Sequence, residues 1–175
     1  MSELVIIGAG AAGLMAAYAA ASRGISTTII EKNDKAGKKL FITGKGRCNI
    51  TNDCDISDFF PQIVHNSKFL MSALYTLGND GLITLLNENG LPTKVERGGR
   101  VFPKSDRSND VINTLLRLVR KSGARLRLNT PVKRIEKQDE IFTVSLKDGT
   151  DLRADAVLIA TGGKSYPLTG STGDG

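Results

Sequence analysis

The segment that most restricts the fold lies near the N-terminus, where residues 4–13 read LVIIGAGAAG. Four consecutive apolar residues are typical of a strand buried on both faces of a parallel sheet, and the motif G-x-G-x-x-G follows directly. Gly8 allows a tight turn, Gly10 leaves room for a pyrophosphate beside the backbone, and Gly13 lets the next helix pack close to the sheet. The segment therefore predicts the first strand–turn–helix unit of a dinucleotide-binding fold.

The residues that follow complete a strand–helix–strand unit. Residues 14–23 are rich in alanine and contain no glycine or proline, which indicates a helix that Gly24 ends. The β-branched residues 25–30 predict a second strand. Glu31 closes it 18 residues after Gly13, near the offset at which an acidic residue binds a ribose hydroxyl. In this context we expect a dinucleotide site rather than an ordinary glycine-rich turn.

The middle of the chain is predicted to be mainly helical. Residues 32–52 show no regular period, whereas residues 67–77 and 80–89 have the spacing of two short amphipathic helices, the second of them capped by Asp80. The side chains expected to be buried on these helices are Phe69, Leu70, Leu74, Leu82, Leu85 and Leu86.

A hairpin and a longer helix come next. Residues 92–103 predict the hairpin, around Gly98 and Gly99. The helix begins at Ser105 or Ser108 and ends near residue 122.

The remaining pattern is mostly strand. A third parallel strand is predicted at residues 124–129. Three antiparallel strands at residues 132–135, 142–146 and 150–153 form a meander, and a fourth parallel strand follows at residues 156–160. The fold class predicted is α/β, a doubly wound parallel sheet of the Rossmann type with an antiparallel β-meander as a crossover.

Composition is compatible with one folded domain over residues 1–175 that binds an anion. The formal net charge of +6 fits an anionic ligand but does not demonstrate nucleic-acid binding. Residues 4–21 are uncharged, yet a glycine motif interrupts them and Glu3 flanks them, which argues against a membrane span or a signal peptide. We therefore expect a cytoplasmic protein that does not contact a membrane.

The cysteines and the histidine do not predict a metal site. Cys48 and Cys54 lack C-x-x-C spacing and a second pair, so we expect two reduced thiols. The single histidine, His65, has no acidic or cysteine partner in the sequence around it.

Two further segments resemble a known flavoprotein family. Residues 44–52 read GKGRCNITN and residues 165–175 read SYPLTGSTGDG. With the glycine motif and the ATGG of residues 160–163, they resemble the BaiN-type NAD(P)/FAD-dependent oxidoreductases, also described as aminoacetone-oxidase-like flavoproteins, within the glutathione-reductase structural type. The resemblance extends over the whole chain, and the stretch GRCN is its most specific part.

The resemblance implies FAD in an extended conformation. It places the pyrophosphate over residues 10–13, Glu31 on the adenosine ribose, and the backbone of Val132 facing the adenine. The full set of cofactor-binding residues that it implies is Gly8, Gly10, Ala12, Gly13, Glu31, Lys32, Lys39, Gly44, Arg47, Cys48, Asn49, Val132, Thr161, Gly162 and Gly163.

Members of the family are considerably longer than this chain. The resemblance places an inserted substrate domain after residue 175, followed by a return to the FAD domain that completes the flavin pocket. We therefore expect residues 1–175, on their own, to hold little flavin and to catalyse no specific turnover. The contact to the ribityl chain is expected from the return segment rather than from Asp174.

The activity that the resemblance implies is hydride transfer between NAD(P)H, FAD and a small molecule in which a carbonyl is conjugated with the carbon framework. The catalytic candidates are Arg47 and Asn49. Arg47 would stabilise the flavin or a substrate oxyanion, with a phosphate contact or a structural ion pair as an equal alternative. For Asn49 and Cys48, shaping the loop and packing against the flavin are favoured over chemistry.

Three alternatives remain open. A disulfide reductase would have a redox pair where Cys48 and Cys54 stand, although five residues rather than four separate them. An NAD-binding Rossmann domain would share the glycine motif and Glu31. A flavin-dependent reductase of an RNA nucleobase fits a basic middle region, because the C5=C6 bond of uracil is conjugated with a carbonyl. A solvated basic face is the plainer explanation of that region, which contains Arg97, Arg100, Lys104, Arg107, Arg117, Arg120, Lys121, Arg125 and Arg127.

Overall fold

The structure, a computed structural model, describes residues 3–164 and 172–173. The chain forms two compact units, one made of Met1–Ile42 and Leu115–Gly175 and the other of Thr43–Thr114. Most of the second motif behind the family resemblance, residues 165–171 and 174–175, lies outside the described residues. The single domain expected from the sequence stays a prediction.

The described part of the chain contains ten strands and six α-helices. The strands are β1 (Glu3–Ile7), β2 (Ser26–Ile30), β3 (Thr51–Asn52), β4 (Thr93–Glu96), β5 (Arg100–Pro103), β6 (Arg125–Arg127), β7 (Val132–Gln138), β8 (Ile141–Leu146), β9 (Asp151–Ala154) and β10 (Ala156–Ile159). The helices are α1 (Ala11–Ala21), α2 (Lys38–Ile42), α3 (Ile56–Phe59), α4 (Met71–Thr76), α5 (Asn79–Glu88) and α6 (Ser108–Lys121).

A parallel sheet forms the centre of the first unit. Its strand order is β10-β1-β2-β6, and every neighbouring pair is parallel. Val5, Ile6 and Ile29 are almost fully buried, so side chains that point to opposite faces are both covered. This burial explains why the strands read as unbroken apolar runs, and the predicted Rossmann-like α/β sheet is confirmed.

The glycine turn leads from β1 into α1, which buries Gly13, Leu14 and Ala17. The helix begins at Ala11, three residues before the predicted start. Gly24, with φ near +80°, follows the helix and lets the chain turn into β2.

The meander β7-β8-β9 is antiparallel, as predicted, and packs on one face of the parallel sheet. The core between them consists of Val5, Ile7, Ile30, Val144, Leu146 and Ala154. Gly149, with φ near +89°, makes the turn between β8 and β9. This packing fixes the position of the meander relative to the C-terminal ends of the parallel strands.

The second unit contains a smaller antiparallel sheet with the order β3-β5-β4. The predicted hairpin is formed by β4 and β5 around Gly98 and Gly99. The side chain of Asn79, at the start of α5, donates to the carbonyl oxygens of Asn52 at 2.9 Å and Cys54 at 2.7 Å. These two bonds tie the start of the helix to the segment around β3.

Three predictions in the middle of the chain were wrong. The N-cap residue of helix α5 is Gly78, which has no side chain to form a capping hydrogen bond. The helix begins at Asn79, so Asp80 lies in its first turn and does not cap it. Phe69 is 85% exposed and Leu70 is 38% exposed, rather than buried. Residues 32–52, predicted to be irregular, contain α2, a 3₁₀ turn at Thr43–Gly46, and β3.

One stretch of the described chain, Ser67–Glu88, has the length and apolar composition of a membrane span. It consists, however, of a 3₁₀ turn, α4 and α5, and the backbone leaves the helical conformation at Leu77. Because a spanning helix needs about 20 continuous residues, the stretch does not form one in this structure. Residues 4–21 are likewise split between β1 and α1.

Candidate dinucleotide-binding site

A cleft of about 530 Å³ lies at the C-terminal edge of the parallel sheet, where the meander begins. This is the edge at which open α/β sheets bind their ligands. The residues that line it are Ile7, Gly8, Ile30, Glu31, Lys32, Thr130, Pro131, Val132, Lys133, Arg134, Ile135, Lys147, Ile159 and Thr161. Five of the predicted site residues are therefore brought together, namely Gly8, Glu31, Lys32, Val132 and Thr161.

The three motif glycines have different steric surroundings. A Cβ on Gly8 would lie 2.5 Å from the carbonyl oxygen of Ala160, and a Cβ on Gly13 would lie 1.9 Å from that of Gly8. Both positions need glycine because protein backbone passes close to them. A Cβ on Gly10 would meet nothing within 4 Å, and its φ of −81° suits any residue. Protein packing thus leaves the glycine at this position unexplained, whereas a ligand in the open space would explain it.

The N-terminus of α1 offers free hydrogen-bond donors. Gly10 provides no side-chain cap and the first turn has no acidic residue. Within the described residues, the N–H groups of Ala11, Ala12 and Gly13 donate to no protein acceptor. Such a helix end binds anionic groups through its N–H groups and its partial positive charge.

Glu31 is buried and its carboxylate organises the loops around the cleft. One oxygen accepts the N–H of Ala9 at 2.8 Å. The other accepts the backbone N–H of Asn33 at 2.9 Å and its side-chain amide at 2.5 Å. The carboxylate is thereby held between the glycine turn and the end of β2, in the lining of the cleft, where a ribose would meet it.

Other predicted residues of the first unit lie outside the lining of the cleft. Lys39 is on α2, and Gly162 and Gly163 are exposed after β10. Lys32 lines the cleft, and its Nζ donates to Thr172 Oγ1 at 2.5 Å.

The segment that carries the resemblance most specifically belongs to the second unit. A Cβ on Gly44 would lie 2.9 Å from the backbone nitrogen of Asn49 and 3.0 Å from Phe102. In the amide orientation that satisfies both its oxygen and its nitrogen, the side chain of Asn49 donates to the carbonyl oxygens of Thr51 at 3.1 Å and Val101 at 3.3 Å. These contacts fit a loop-shaping role for Asn49, which stays a prediction.

Arg47 takes part in a network of ion pairs. Its guanidinium binds the Glu96 carboxylate through two bonds of 2.9 and 3.1 Å, contacts Asp106 at 3.1 Å, and lies 4.1 Å from the centre of the Phe102 ring. Lys94 joins the same two carboxylates at 3.3 and 2.5 Å. The hydrogen bonds from Arg47 hold the pKa of Glu96 below its ordinary value, and those from Lys94 do the same for the pKa of Asp106. These contacts fit a structural ion pair, the alternative that the sequence left open for Arg47. The catalytic role of Arg47 stays a prediction.

The two thiols are free, and Cys48 is almost fully buried. Burial raises the pKa of its thiol, which lowers the thiolate fraction that redox exchange requires. This environment favours a packing role for Cys48 over a disulfide-reductase mechanism.

Several residues that line the cleft, and one that holds a lining residue from outside it, were not identified from the sequence. Asn33 holds Glu31, and the basic side chains of Lys133, Arg134 and Lys147 come from the meander. Asn33 was recognisable as a polar residue two positions after the ribose-binding acid. The meander residues gave no signal, because their place depends on how the meander packs on the sheet.

Comparison with known proteins assigns the chain to a family. Residues 2–175 match the HI0933-like protein Rossmann domain. The chain belongs to this family. It is 34% identical over its whole length to a 3-dehydro-bile acid delta(4,6)-reductase of Clostridium scindens, and 32% identical over 98% of its length to a ribosomal RNA dihydrouridine synthase of Haemophilus influenzae. It spans 42% and 43% of these relatives, so about two fifths of their length.

Solved structures agree on the fold. THI4 of Thermovibrio ammonificans is similar over 96% of this chain and 60% of its own, with a TM-score of 0.62 and 16% identity. The halogenase PltM, in complex with phloroglucinol and FAD, is similar over 96% of this chain and 35% of its own, with a TM-score of 0.53 and 17% identity. At these identities the likeness concerns the fold alone.

The chain is thus a Rossmann-type domain of a family related to reductases. Its residues fit an adenine dinucleotide, because open space faces Gly10, donors are free at the start of α1, and a fixed carboxylate lines the cleft. The individual contacts to FAD stay predictions.

Proposed function

We propose that the protein reduces a carbon–carbon double bond conjugated with a carbonyl group, using FAD and a hydride from NAD(P)H. The observation that carries the proposal is a dinucleotide-type cleft in a chain related to a bile acid reductase and to a ribosomal RNA dihydrouridine synthase. The compounds in both of these names point to this type of bond. A 3-dehydro-delta(4,6) steroid has double bonds conjugated with its 3-ketone. Dihydrouridine is uridine reduced at C5=C6, which is conjugated with the C4 carbonyl.

When bound, FAD would supply the two-electron redox chemistry. The residues of this chain would bind and orient it. The N–H groups at the start of α1 would hold the pyrophosphate beside Gly10, Glu31 would accept hydrogen bonds from the ribose hydroxyls, and Val132 would face the adenine. The basic side chains of Lys133, Arg134 and Lys147 would add a positive field around the phosphates.

The test uses a longer protein that contains this domain together with the segments expected after residue 175, and it begins with the optical spectrum of that purified protein supplied with FAD. Anaerobic NADH and NADPH are then added separately, and the reduced protein is mixed with a steroid that has a 3-ketone conjugated to a C4=C5 bond. The matched control is the same steroid with that bond saturated. We expect rapid reoxidation by the conjugated ketone and none by the saturated one. Failure to bind FAD, or reoxidation by oxygen alone, would contradict the proposal.

A second candidate substrate is a uracil base of RNA. It is supported by the relationship to the ribosomal RNA dihydrouridine synthases and by four exposed basic side chains of the second unit, Arg97, Arg100, Lys104 and Arg107. A ribosomal RNA transcript added to the reduced protein should then yield dihydrouridine. RNA affinity should also fall steeply as salt is raised, because phosphate contacts release counterions. A flat salt dependence and no dihydrouridine would leave the small-molecule substrate.

A further inference from the structure

A second cleft of the first unit shares no residue with the dinucleotide cleft. Its volume is about 500 Å³, within the range of ligand sites. It opens between the parallel sheet and strand β9, and its lining is Glu3, Val5, Thr28, Arg125, Arg127, Leu152 and Arg153. Glu3 and Val5 lie at the start of β1, whereas the dinucleotide cleft begins at the end of this strand.

The charges in this second cleft are unbalanced. It contains three guanidinium groups and one carboxylate, a formal excess of two positive charges. The carboxylate of Glu3 is already satisfied, since it binds Arg125 at 2.9 Å and accepts the hydroxyls of Thr28 and Ser26. Burial works to raise the pKa of Glu3, but these hydrogen bonds and the Arg125 charge outweigh it, so the pKa is lowered and the group stays ionised.

Arg127 and Arg153 supply the excess charge. Within the described residues the side chain of neither arginine forms an ion pair or a hydrogen bond. Hydrogen bonds with Thr150 lower the pKa of Asp148, and the charge of Arg127 contributes to the same shift. The Asp148 carboxylate already accepts the backbone N–H of Thr150 at 2.9 Å. Two guanidinium groups thus face one cleft without a bound carboxylate, beside the apolar side chains of Val5 and Leu152.

We propose that this cleft binds the phosphate monoester of a small phosphorylated molecule through Arg127 and Arg153. Guanidinium groups bind phosphate oxygens in a bidentate manner, which suits a pair whose side chains have no partner in the described part of the protein. A monoester carries close to two negative charges at neutral pH, which matches the excess of two positive charges, whereas a phosphodiester carries one. This site goes beyond the proposed function, since it is separate from the FAD cleft.

The experiment is isothermal titration calorimetry with ribose 5-phosphate, and with ribose as the control that lacks the phosphate. The proteins compared are the wild type, Arg127→Gln, Arg153→Gln, and Arg120→Gln as a matched control on the exposed face of α6. Gly10→Val is included because ribose 5-phosphate can also enter the dinucleotide cleft. Thermal unfolding checks each fold, and Arg153 is exposed on β9, so its substitution should leave the melting temperature unchanged.

We expect ribose 5-phosphate to bind and ribose not to bind. Each of Arg127→Gln and Arg153→Gln should weaken binding by roughly tenfold or more, while Arg120→Gln and Gly10→Val should bind as the wild type does. Equal affinity in all variants, or loss in Gly10→Val alone, would overturn the proposal. An oligouridylate without terminal phosphates that binds as tightly, and depends on the same arginines, would also overturn it, because the ligand would then be a phosphodiester.

Discussion

Gly10 and Gly13 are three residues apart, yet substitution should affect them in different ways. Gly10→Val places a side chain in open space, so the free energy of unfolding should change by no more than about 0.5 kcal/mol. The same side chain would occupy the path of the pyrophosphate, so FAD should be lost from a longer protein that contains this domain. Gly13→Ala instead forces a Cβ against the Gly8 carbonyl and should destabilise the fold by about 1–3 kcal/mol.

Flavin absorbance per protein and thermal unfolding distinguish the two variants. A yellow Gly10→Val protein at normal yield would show that the pyrophosphate does not pass this residue. A Gly13→Ala protein as stable as the wild type would show that helix α1 can move away from the turn without cost.

The carboxylate of Glu31 should contribute both to the stability of the fold and to the affinity for FAD. In Glu31→Gln, one side-chain oxygen is replaced by an NH₂ group, which cannot accept from Ala9 or Asn33. Leaving a buried donor without an acceptor costs about 1–3 kcal/mol, so the stability should fall. The weakened ribose contact should in addition reduce FAD affinity by roughly tenfold or more.

Urea unfolding and flavin fluorescence titration measure the two effects separately. The exposed Glu140 gives the matched control, since Glu140→Gln should change neither quantity. If FAD affinity were unchanged in Glu31→Gln, the carboxylate would be a purely structural group of the loop.

The ion pairs of β4 should make the second unit sensitive to acid. Glu96 and Asp106 have folded-state pKa values below their ordinary values of 4.5 and 3.8. A depressed pKa stabilises the fold at neutral pH, and this contribution is lost as the pH falls below the ordinary values. Arg47→Gln removes a partner of both carboxylates and should reduce the loss of stability on acidification.

Urea unfolding of the wild type and Arg47→Gln across the acidic range tests this expectation. Lys137→Gln is the control, because it removes an exposed pair with Glu140 on a different element. Curves of the same steepness for the wild type and Arg47→Gln would mean that the network does not set the acid response.

The elements that could be predicted are those whose pattern is local. The apolar run of β1, the alanine-rich α1 and the alternating strands of the meander all show the period of their own structure in the sequence. Strand β3 has only two residues and exists because it pairs with β5, where the N–H of Ile50 also donates to Val101. No local period predicts such a pairing, and α2 and α3, of five and four residues, are likewise too short to show a helical period.

At the scale of the whole molecule, the site was predictable where the sheet itself brings residues together. Gly8, Glu31 and Thr161 each follow a parallel strand, so the C-terminal edge of the sheet necessarily places them side by side. Val132 was placed by resemblance and does line the cleft. The basic residues of the meander and the phosphate cleft depend on packing between two sheets, which the sequence does not show.

Residues 1–175 on their own supply only part of what a flavin site needs. Their described part supplies the glycine turn, the start of α1 and Glu31, which suit the adenosine and pyrophosphate half of FAD. The chain matches only 42% of the bile acid reductase, and orienting a flavin against its substrate can contribute about 7–11 kcal/mol to catalysis. We therefore expect residues 1–175 to fold, to bind FAD weakly and to show no substrate-dependent turnover.

NADPH oxidation measured with FAD, with and without the conjugated steroid ketone, tests this. A saturable, steroid-dependent rate well above that of free FAD would mean that these residues alone build a complete active site.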